Sequence, residues 1–188
     1  MQQGRDKPKH MPRKKIRRAE SQVRDLADSW ARERPDLDPD DYLHLIYSIR
    51  LGRMLDRLDD ERNRRLHGLS SSEMRVLFAL RRVGEPFTRR PTDLYKAVLV
   101  TSGAITKQVG RLVDSGYVER VPDPANGGGF LVRLTGKGVE RADDGLNALA
   151  DQSPENYANG SLTREERHMF RVLCEKFLLN LESRYFNE

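Results

Sequence analysis

Residues 102–120 read SGAITKQVGRLVDSGYVER, which is the pattern of a helix, a stop and a strand. At about 100° per residue, one side of this helix is aliphatic. Its members are Ile105, Val109, Leu112 and Val113. The opposite side carries Lys107 and Gly110. Because Gly110 costs roughly 1 kcal/mol inside a helix, its presence indicates that another surface comes close. A helix of this kind packs its aliphatic side against the rest of the protein and presents its basic side to a polyanion.

Residues that cap helices mark both ends of this segment. Thr101 is suited to accept hydrogen bonds from the first-turn amides as an N-cap. Val100, just before it, is placed to pack on Ile105 as a hydrophobic staple. Gly116 suits the left-handed position that follows a helix, and a strand is expected from Tyr117 onward. The pattern therefore predicts where the helix begins and ends.

The neighbouring segments predict a winged helix-turn-helix. Upstream, Pro91 suits the first position of a short helix, and Asp93 in its first turn complements the helix dipole. Two short helices joined near Leu99 form a helix-turn-helix. Downstream, residues 117–122 and 130–134 read as strands. The stretch between them reads PDPANGGG and predicts a flexible hairpin loop, the wing.

Further helices are expected on both sides of this unit. Ser70 and Glu73 form a capping box that opens one helix, and Thr163 and Glu166 form a second that opens the last; Thr135 caps the helix between them. The last helix and the N-terminal helices carry more apolar surface than the outside of a monomer shows. This predicts a two-fold homodimer.

The predicted fold class is mainly α with a small β-hairpin wing. The chain is expected to divide into a disordered basic tail, N-terminal dimerisation helices, a winged helix-turn-helix domain and C-terminal dimerisation helices. These parts span residues 1–18, 19–66, 67–136 and 137–188. The tail carries eight basic residues, and contact with phosphates and simple solvation are equally good interpretations of it.

Composition argues against several classes of protein. The 188 residues carry a net charge of +5, which permits a nucleic-acid partner. A single cysteine and four scattered histidines indicate no disulfide framework, zinc site or other metal site. Neither a phosphate loop nor a dinucleotide fingerprint occurs, so no enzyme and no cofactor are predicted. No run approaches about 20 apolar residues and no signal peptide is visible, which predicts a cytoplasmic protein.

Several strings resemble the MarR (multiple antibiotic resistance regulator) family, from about residue 42 to residue 182. The telling strings are RPTDL (90–94), SGAITK (102–107), RL (111–112), GYVER (116–120), PDP (122–124) and LTGKG (134–138). The resemblance implies a homodimer on pseudo-palindromic DNA, usually a repressor released by a small ligand. SWAR (29–32) resembles the subgroup that senses urate or similar anions.

Two departures from the family pattern matter. Family wings typically carry an Asp-x-Arg-Arg tip, whereas this tip reads NGG at 126–128. The tip of the wing therefore has no guanidinium to insert into the minor groove, whereas Arg120 and Arg133 flank the base of the wing and are placed to reach phosphates. Urate-responsive members place an Asp where this chain has Arg75, so urate itself is not carried over.

The predicted partner is double-stranded DNA. The helix beginning at Pro91 is expected to hold phosphates, and Lys107 or Arg111 is expected to bind guanine in the major groove. Thr106 or Gln108 is expected to touch thymine or adenine, with Thr106 favoured because the angle of Gln108 leans towards the core. The residues predicted to contact DNA are Arg89, Arg90, Pro91, Thr92, Ser102, Thr106, Lys107, Gln108, Arg111, Arg120 and Arg133. The alternative is a winged helix that contacts only proteins.

A ligand site is predicted near Trp30, Arg75 and Arg82. Two arginines favour a small anionic aromatic effector, through charge and stacking. A packed aromatic at a dimer interface is an equally good interpretation of Trp30.

Overall fold

The computed structural model describes residues 25–151 and 162–185. The first described helix, α1, covers residues 25–33. The remaining elements are α2 (Pro39–His67), α3 (Ser71–Arg81), β1 (Thr88–Arg89), α4 (Pro91–Val98), α5 (Ser102–Asp114), β2 (Val118–Pro122), β3 (Phe130–Leu134), α6 (Gly136–Ala150) and α7 (Arg164–Tyr185). This mainly helical fold with a small sheet confirms the predicted class. The predicted basic tail, residues 1–18, lies outside the described residues.

The chain divides into two compact units, Met1–Leu58 and Asp59–Glu188, and α2 runs through the boundary. In the first unit Trp30 packs edge-on against Tyr42, with 6.4 Å between the ring centroids. Leu43 is buried nearby in sequence. The four-part organisation predicted from the sequence stays a prediction.

Helix α3 is the centre of the core of the second unit. Met74, Leu77 and Leu80 are fully buried, and α4, α5 and α6 all pack on this helix. The predicted capping box is present, because the Ser70 hydroxyl accepts from the Glu73 amide and the Glu73 carboxylate accepts from the Ser70 amide. The interlocked first turn gives α3 a well-defined start.

The sheet has three strands in the order β1-β3-β2, all antiparallel. Strands β2 and β3 form the predicted wing hairpin, with Val118 opposite Leu134 and Pro122 opposite Phe130. The sequence analysis did not predict β1. Its two residues, Thr88–Arg89, are too few to show the alternation by which a strand is recognised.

The later helices begin at the predicted caps. Thr135 accepts a hydrogen bond from the Gly138 amide at the start of α6. At the start of α7, Thr163 and Glu166 exchange the two hydrogen bonds of a capping box. No helix within residues 25–151 and 162–185 combines the length and the apolar character needed to cross a bilayer.

Candidate nucleic-acid interface

Helices α4 and α5 form the predicted helix-turn-helix. Pro91 occupies the first turn of α4, and Leu99 ends the helix in the left-handed region with φ of 56°. The Val100 amide then donates to the Tyr95 carbonyl at 3.1 Å, which closes the turn. Thr101 caps α5 by accepting from the Ala104 amide, as expected from the sequence. The turn therefore leads directly into the first residue of α5.

Helix α5 has one buried side and one exposed side. Ile105, Val109 and Leu112 are buried in the core beside α3. Lys107 is exposed on the other side, and a Cβ added at Gly110 would meet no atom within 4 Å. The outward surface is therefore open, cationic and lacking a side chain at Gly110.

Two polar residues of α5 differ in their exposure. Thr106 is exposed, and its hydroxyl donates to the Ser102 carbonyl at 2.9 Å. Gln108 is only 6% exposed, and its Oε1 has no hydrogen-bond partner within the part of the chain that the structure describes. Gln108 therefore does not lie on the outward surface, and its burial argues against the base contact that was predicted for it. Its position beside the aliphatic stripe, 100° from Val109, turns it inward.

Three arginines that were predicted to contact DNA are held by carboxylates through their Nε atoms. The Nε atom of Arg111 lies 2.6 Å from Glu73 Oε1, and that of Arg90 lies 2.7 Å from Asp123 Oδ2. The Nε atom of Arg133 lies 2.8 Å from Glu119 Oε1. The three side chains stay between 43% and 49% exposed. Each guanidinium is thus oriented before any ligand arrives.

The carboxylates of two of these pairs favour the ionised form. The Arg90 side chain, followed by the Ala125 amide, holds the pKa of Asp123 below its ordinary value. Burial of Glu73 acts to raise its pKa, but hydrogen bonds from Ser70 and Arg111 outweigh burial and the pKa lies below its ordinary value. Both pairs therefore remain charged at neutral pH.

The wing ends in a tight turn whose tip has no basic side chain. Asp123 accepts from the Ala125 amide at 3.0 Å, and the Gly129 amide donates to the Asn126 carbonyl at 2.8 Å. Gly128 adopts a positive φ of 86°, a conformation that suits glycine. Near the base, the Arg120 guanidinium lies over the Phe130 ring at 5.1 Å from its centroid. Positive charge in the wing is therefore confined to its base.

The remaining predicted contacts lie near the starts of α4 and α5. Arg89 is half-buried in β1, and Thr92 is exposed in the first turn of α4. Ser102 is exposed at the first position of α5. At the start of α4, Pro91 has no amide hydrogen and the Asp93 amide donates to the Arg90 carbonyl, so the Thr92 amide accompanies these polar groups.

The residues predicted to bind an effector belong to different units. Trp30 is exposed in the first unit. In the second unit, Arg75 donates to the Ser71 hydroxyl at 3.3 Å, and Arg82 is exposed at the end of α3. The two arginines are separated by about two helical turns. No group of three or more His, Cys, Asp or Glu side chains within residues 25–151 and 162–185 is arranged to hold a metal ion.

Sequence analysis missed the acidic partners of the arginines. Glu73 was recognised only as a capping residue, and Asp123 only as part of the wing loop. The pairs join residues 38 and 33 positions apart. No local pattern reports a pairing over such separations.

Comparisons with known proteins give a consistent result. A family model described as MarR family matches residues 67–127. The chain is 31% identical over 136 residues to the multiple antibiotic resistance protein MarR of Salmonella typhimurium, covering 69% of this chain and 92% of that protein. It is 27% identical over 164 residues to the HTH-type transcriptional regulator PecS of Dickeya dadantii, covering 85% and 96%. A crystal structure of a MarR mutant from Escherichia coli complexed with operator DNA is 27% identical, with a TM-score of 0.58, and covers 79% of this chain and 97% of that one.

Proposed function

The chain belongs to the MarR family of transcriptional regulators, and from this premise we propose that it is a sequence-specific DNA-binding repressor. It acts as a homodimer on pseudo-palindromic operators, and a small ligand releases it. Binding to chromosomal DNA places its action in the cytoplasm. The observation that carries the proposal is the two-sided α5, whose aliphatic side is buried and whose outward side presents Lys107.

Lys107 is the residue to which we assign base recognition. Its ammonium group is suited to the O6 and N7 acceptors of guanine in the major groove, a contact worth roughly 1–3 kcal/mol of discrimination. Thr106, exposed beside it, supplies a methyl group for contact with thymine. The related MarR structure with operator DNA supports DNA binding, because it is a chain of this fold in complex with DNA.

Phosphate contacts come from the surfaces around α5. The first turn of α4 offers the Thr92 amide and the Thr92 hydroxyl, which suit phosphate oxygens. Arg89 and Arg90 add charge at the same end, while Arg120 and Arg133 add charge at the base of the wing. The carboxylates that hold Arg90 and Arg133 reduce the entropy lost when these side chains bind. Affinity should fall steeply as salt concentration rises.

The homodimer is proposed from apolar side chains exposed in the single chain. On α7, Leu173 is 58% exposed and Leu179 is 64% exposed. On α2, Ile49 is 60% exposed. Exposed apolar surface of this extent marks an interaction site. A two-fold dimer would place two copies of α5 about 10 base pairs apart on DNA.

The proposed effector is a small anionic aromatic molecule. Arg75 and Arg82 would supply charge and planar stacking surfaces. Calorimetry with a panel of aromatic acids tests this part alone. A panel without binding, and without loss of DNA affinity, would reject the effector but leave the repressor intact.

Selection of bound genomic fragments tests DNA binding and finds the operator at the same time. Lys107→Ala should then bind the operator and a random duplex equally, while the dimer stays intact. Arg171→Ala removes the same charge from the polar face of α7, where Arg171 pairs with Glu175, and should keep the preference. Recovery of no fragments by the wild-type dimer would favour a winged helix that contacts proteins instead.

A further inference from the structure

One carboxylate joins the start of α3 to the flank of α5. Glu73 Oε1 accepts from Arg111 Nε at 2.6 Å. Glu73 Oε2 accepts from the Ser70 amide and the Ser70 hydroxyl, each at 2.7 Å. Glu73 is only 7% exposed, so its place is fixed by packing as well as by these bonds. Arg111 is therefore attached to a nearly immobile group.

The start of α3 is itself anchored. The Ser71 amide donates to Asp60 Oδ1 at 2.9 Å, which ties the first turn of α3 to the end of α2. Behind this turn, Met74 and Leu77 have no exposed surface. Glu73 thus belongs to a closely packed part of the second unit, and it offers α5 a fixed reference point.

Helix α5 needs such a reference because the contacts of its inward side are not directional. Its inward side chains, Ile105, Val109 and Leu112, are aliphatic, and burial of aliphatic surface depends little on small rotations. A rotation of about 20° moves a side chain at a radius of about 5–6 Å by about 2 Å. A hydrogen bond tolerates only about 0.5 Å of change in length. A small rotation of α5 would therefore break contacts with bases.

We propose that Arg111 is a positioning residue, whose ion pair with Glu73 sets the rotation of α5 and so the aim of Lys107. This inference rests on the proposed function, because it assigns the source of sequence discrimination at the same surface. Recognition then depends on Glu73, a buried acidic residue that never touches DNA. A direct base contact by Arg111 is the competing assignment.

Glu73→Gln separates the two assignments by the sign of its effect. Glutamine at this position of a capping box still accepts from the N-cap amide, so α3 keeps its start. Loss of a negative charge and release of an arginine should, by electrostatics alone, tighten binding to a polyanion. If the pair positions α5, affinity for the operator instead falls about tenfold or more, and the preference over random duplex falls with it. Affinity equal to or above that of the wild type would overturn the proposal.

Glu119→Gln is the matched control. It also releases an arginine from a carboxylate, because Arg133 pairs with Glu119 at 2.8 Å. This pair joins two strands of the wing and does not orient α5. The variant should bind the operator at least as tightly as the wild type, and a loss as large as that of Glu73→Gln would overturn the proposal.

Arg111→Gln gives a second test that does not depend on the α3 cap. Removal of a base-reading side chain relaxes specificity at one base pair, whereas a displaced helix weakens discrimination at every position that α5 reads. Competition with operators mutated one base pair at a time should show the second pattern, and relaxation at one base pair would overturn the proposal. In a double variant, Arg111→Gln should add no further loss of operator affinity to that caused by Glu73→Gln. Losses of affinity that add together would contradict the shared role. A wild-type protein that selects no DNA would instead reject the proposed function itself.

Discussion

The Nε atom of Arg90 lies 2.7 Å from Asp123 Oδ2, and this pair ties the start of α4 to the first residue of the wing turn. Asp123 is nearly inaccessible, with its side chain 4% exposed, whereas that of Arg90 is 47% exposed. The same carboxylate accepts from the Ala125 amide and so holds the first residues of the wing turn. One acidic side chain therefore fixes both the turn and its orientation relative to the helix-turn-helix.

Substitutions of Asp123 should separate these two roles. Asn keeps an oxygen for the Ala125 amide but loses the ion pair, while Ala loses both. Hydrogen exchange at the wing amides should therefore be fastest in Asp123→Ala, intermediate in Asp123→Asn and slowest in the wild type. Because the pKa of Asp123 is lowered, the stabilisation from the pair is fully present above about pH 4. It is lost as pH falls through the pKa of Asp123 in the folded protein. Equal exchange rates in the wild type and in Asp123→Asn would show that the ion pair does not restrain the wing.

Gly110→Ala should make the protein more stable and a weaker DNA binder. Alanine is favoured over glycine inside a helix by about 1 kcal/mol, and the added Cβ meets nothing within 4 Å. The thermal midpoint should rise by about 2–4 °C. Operator affinity should fall, because the new methyl group keeps the helix from close contact with DNA. Gly52→Ala, in the interior of α2 with equally open space, should give the same rise without loss of affinity; equal affinity in both variants would show that Gly110 has no role at the interface.

Two glycines of the LTGKG segment should respond differently to alanine. A Cβ at Gly138 would lie 2.0 Å from the Tyr117 carbonyl oxygen, whereas one at Gly136 would meet nothing within 4 Å. Overpacking against backbone typically costs about 1–3 kcal/mol. Gly138→Ala should lower the free energy of unfolding by about that amount in urea titrations, and Gly136→Ala should not. Equal free energies of unfolding would show that the backbone where β2 meets α6 shifts at little cost to accept the added methyl group.

His67 should make stability depend on pH in a range where carboxylates do not titrate. Its Nδ1 lies 2.9 Å from Arg141 Nη1 and must accept, since a guanidinium only donates. Burial, followed by the charge of Arg141, lowers its pKa, and Arg62 acts in the same direction while Asp144 opposes it. The unfolded chain takes up the proton near pH 6.5 but the folded chain resists it. The stabilisation that neutral His67 contributes is therefore fully present above about pH 6.5, and it is lost as pH falls towards the pKa of His67 in the folded protein.

His67→Asn tests this dependence, because its amide oxygen can still accept from Arg141 and does not titrate. Thermal midpoints between pH 7 and pH 5 should fall in the wild type and change less in the variant. Parallel curves would assign the dependence to other groups.

A charge on the apolar face of α7 should break the dimer. Leu173→Glu places a carboxylate in the surface that the second copy would cover, and a buried unpaired charge is costly. Sedimentation should show a monomer with a folded circular dichroism spectrum, and operator affinity should be lost with the second half-site. Arg171→Glu introduces the same residue on the polar face, where Arg171 pairs with Glu175, and should remain dimeric. A dimer in both variants would place the interface elsewhere.

Much of α5 and its surroundings followed from the sequence because the signals are local. The caps at Thr101, Ser70 and Thr135 form hydrogen bonds three residues along the chain. The inward side of α5 followed from a period of 3.6 residues. Gly116, with φ of 72°, ends the helix as predicted. Each of these features depends on residues within one or two turns of one another.

Only the tertiary structure decided which arginines are held and by what. Glu73 meets Arg111 and Asp123 meets Arg90 because α3, α4, α5 and the wing pack together, and no short-range pattern encodes those approaches. Strand β1 exists only because β3 offers an edge to two residues. For Gln108, sequence and tertiary structure each gave part of the answer. Its angle on α5 placed it near the core, and only the packing of α5 against its neighbours showed that it is buried. Backbone hydrogen bonding and periodicity act over a few residues, and the sequence alone therefore determines where the helices lie. The direction in which a side chain points depends instead on the surfaces that segments distant in sequence bring together.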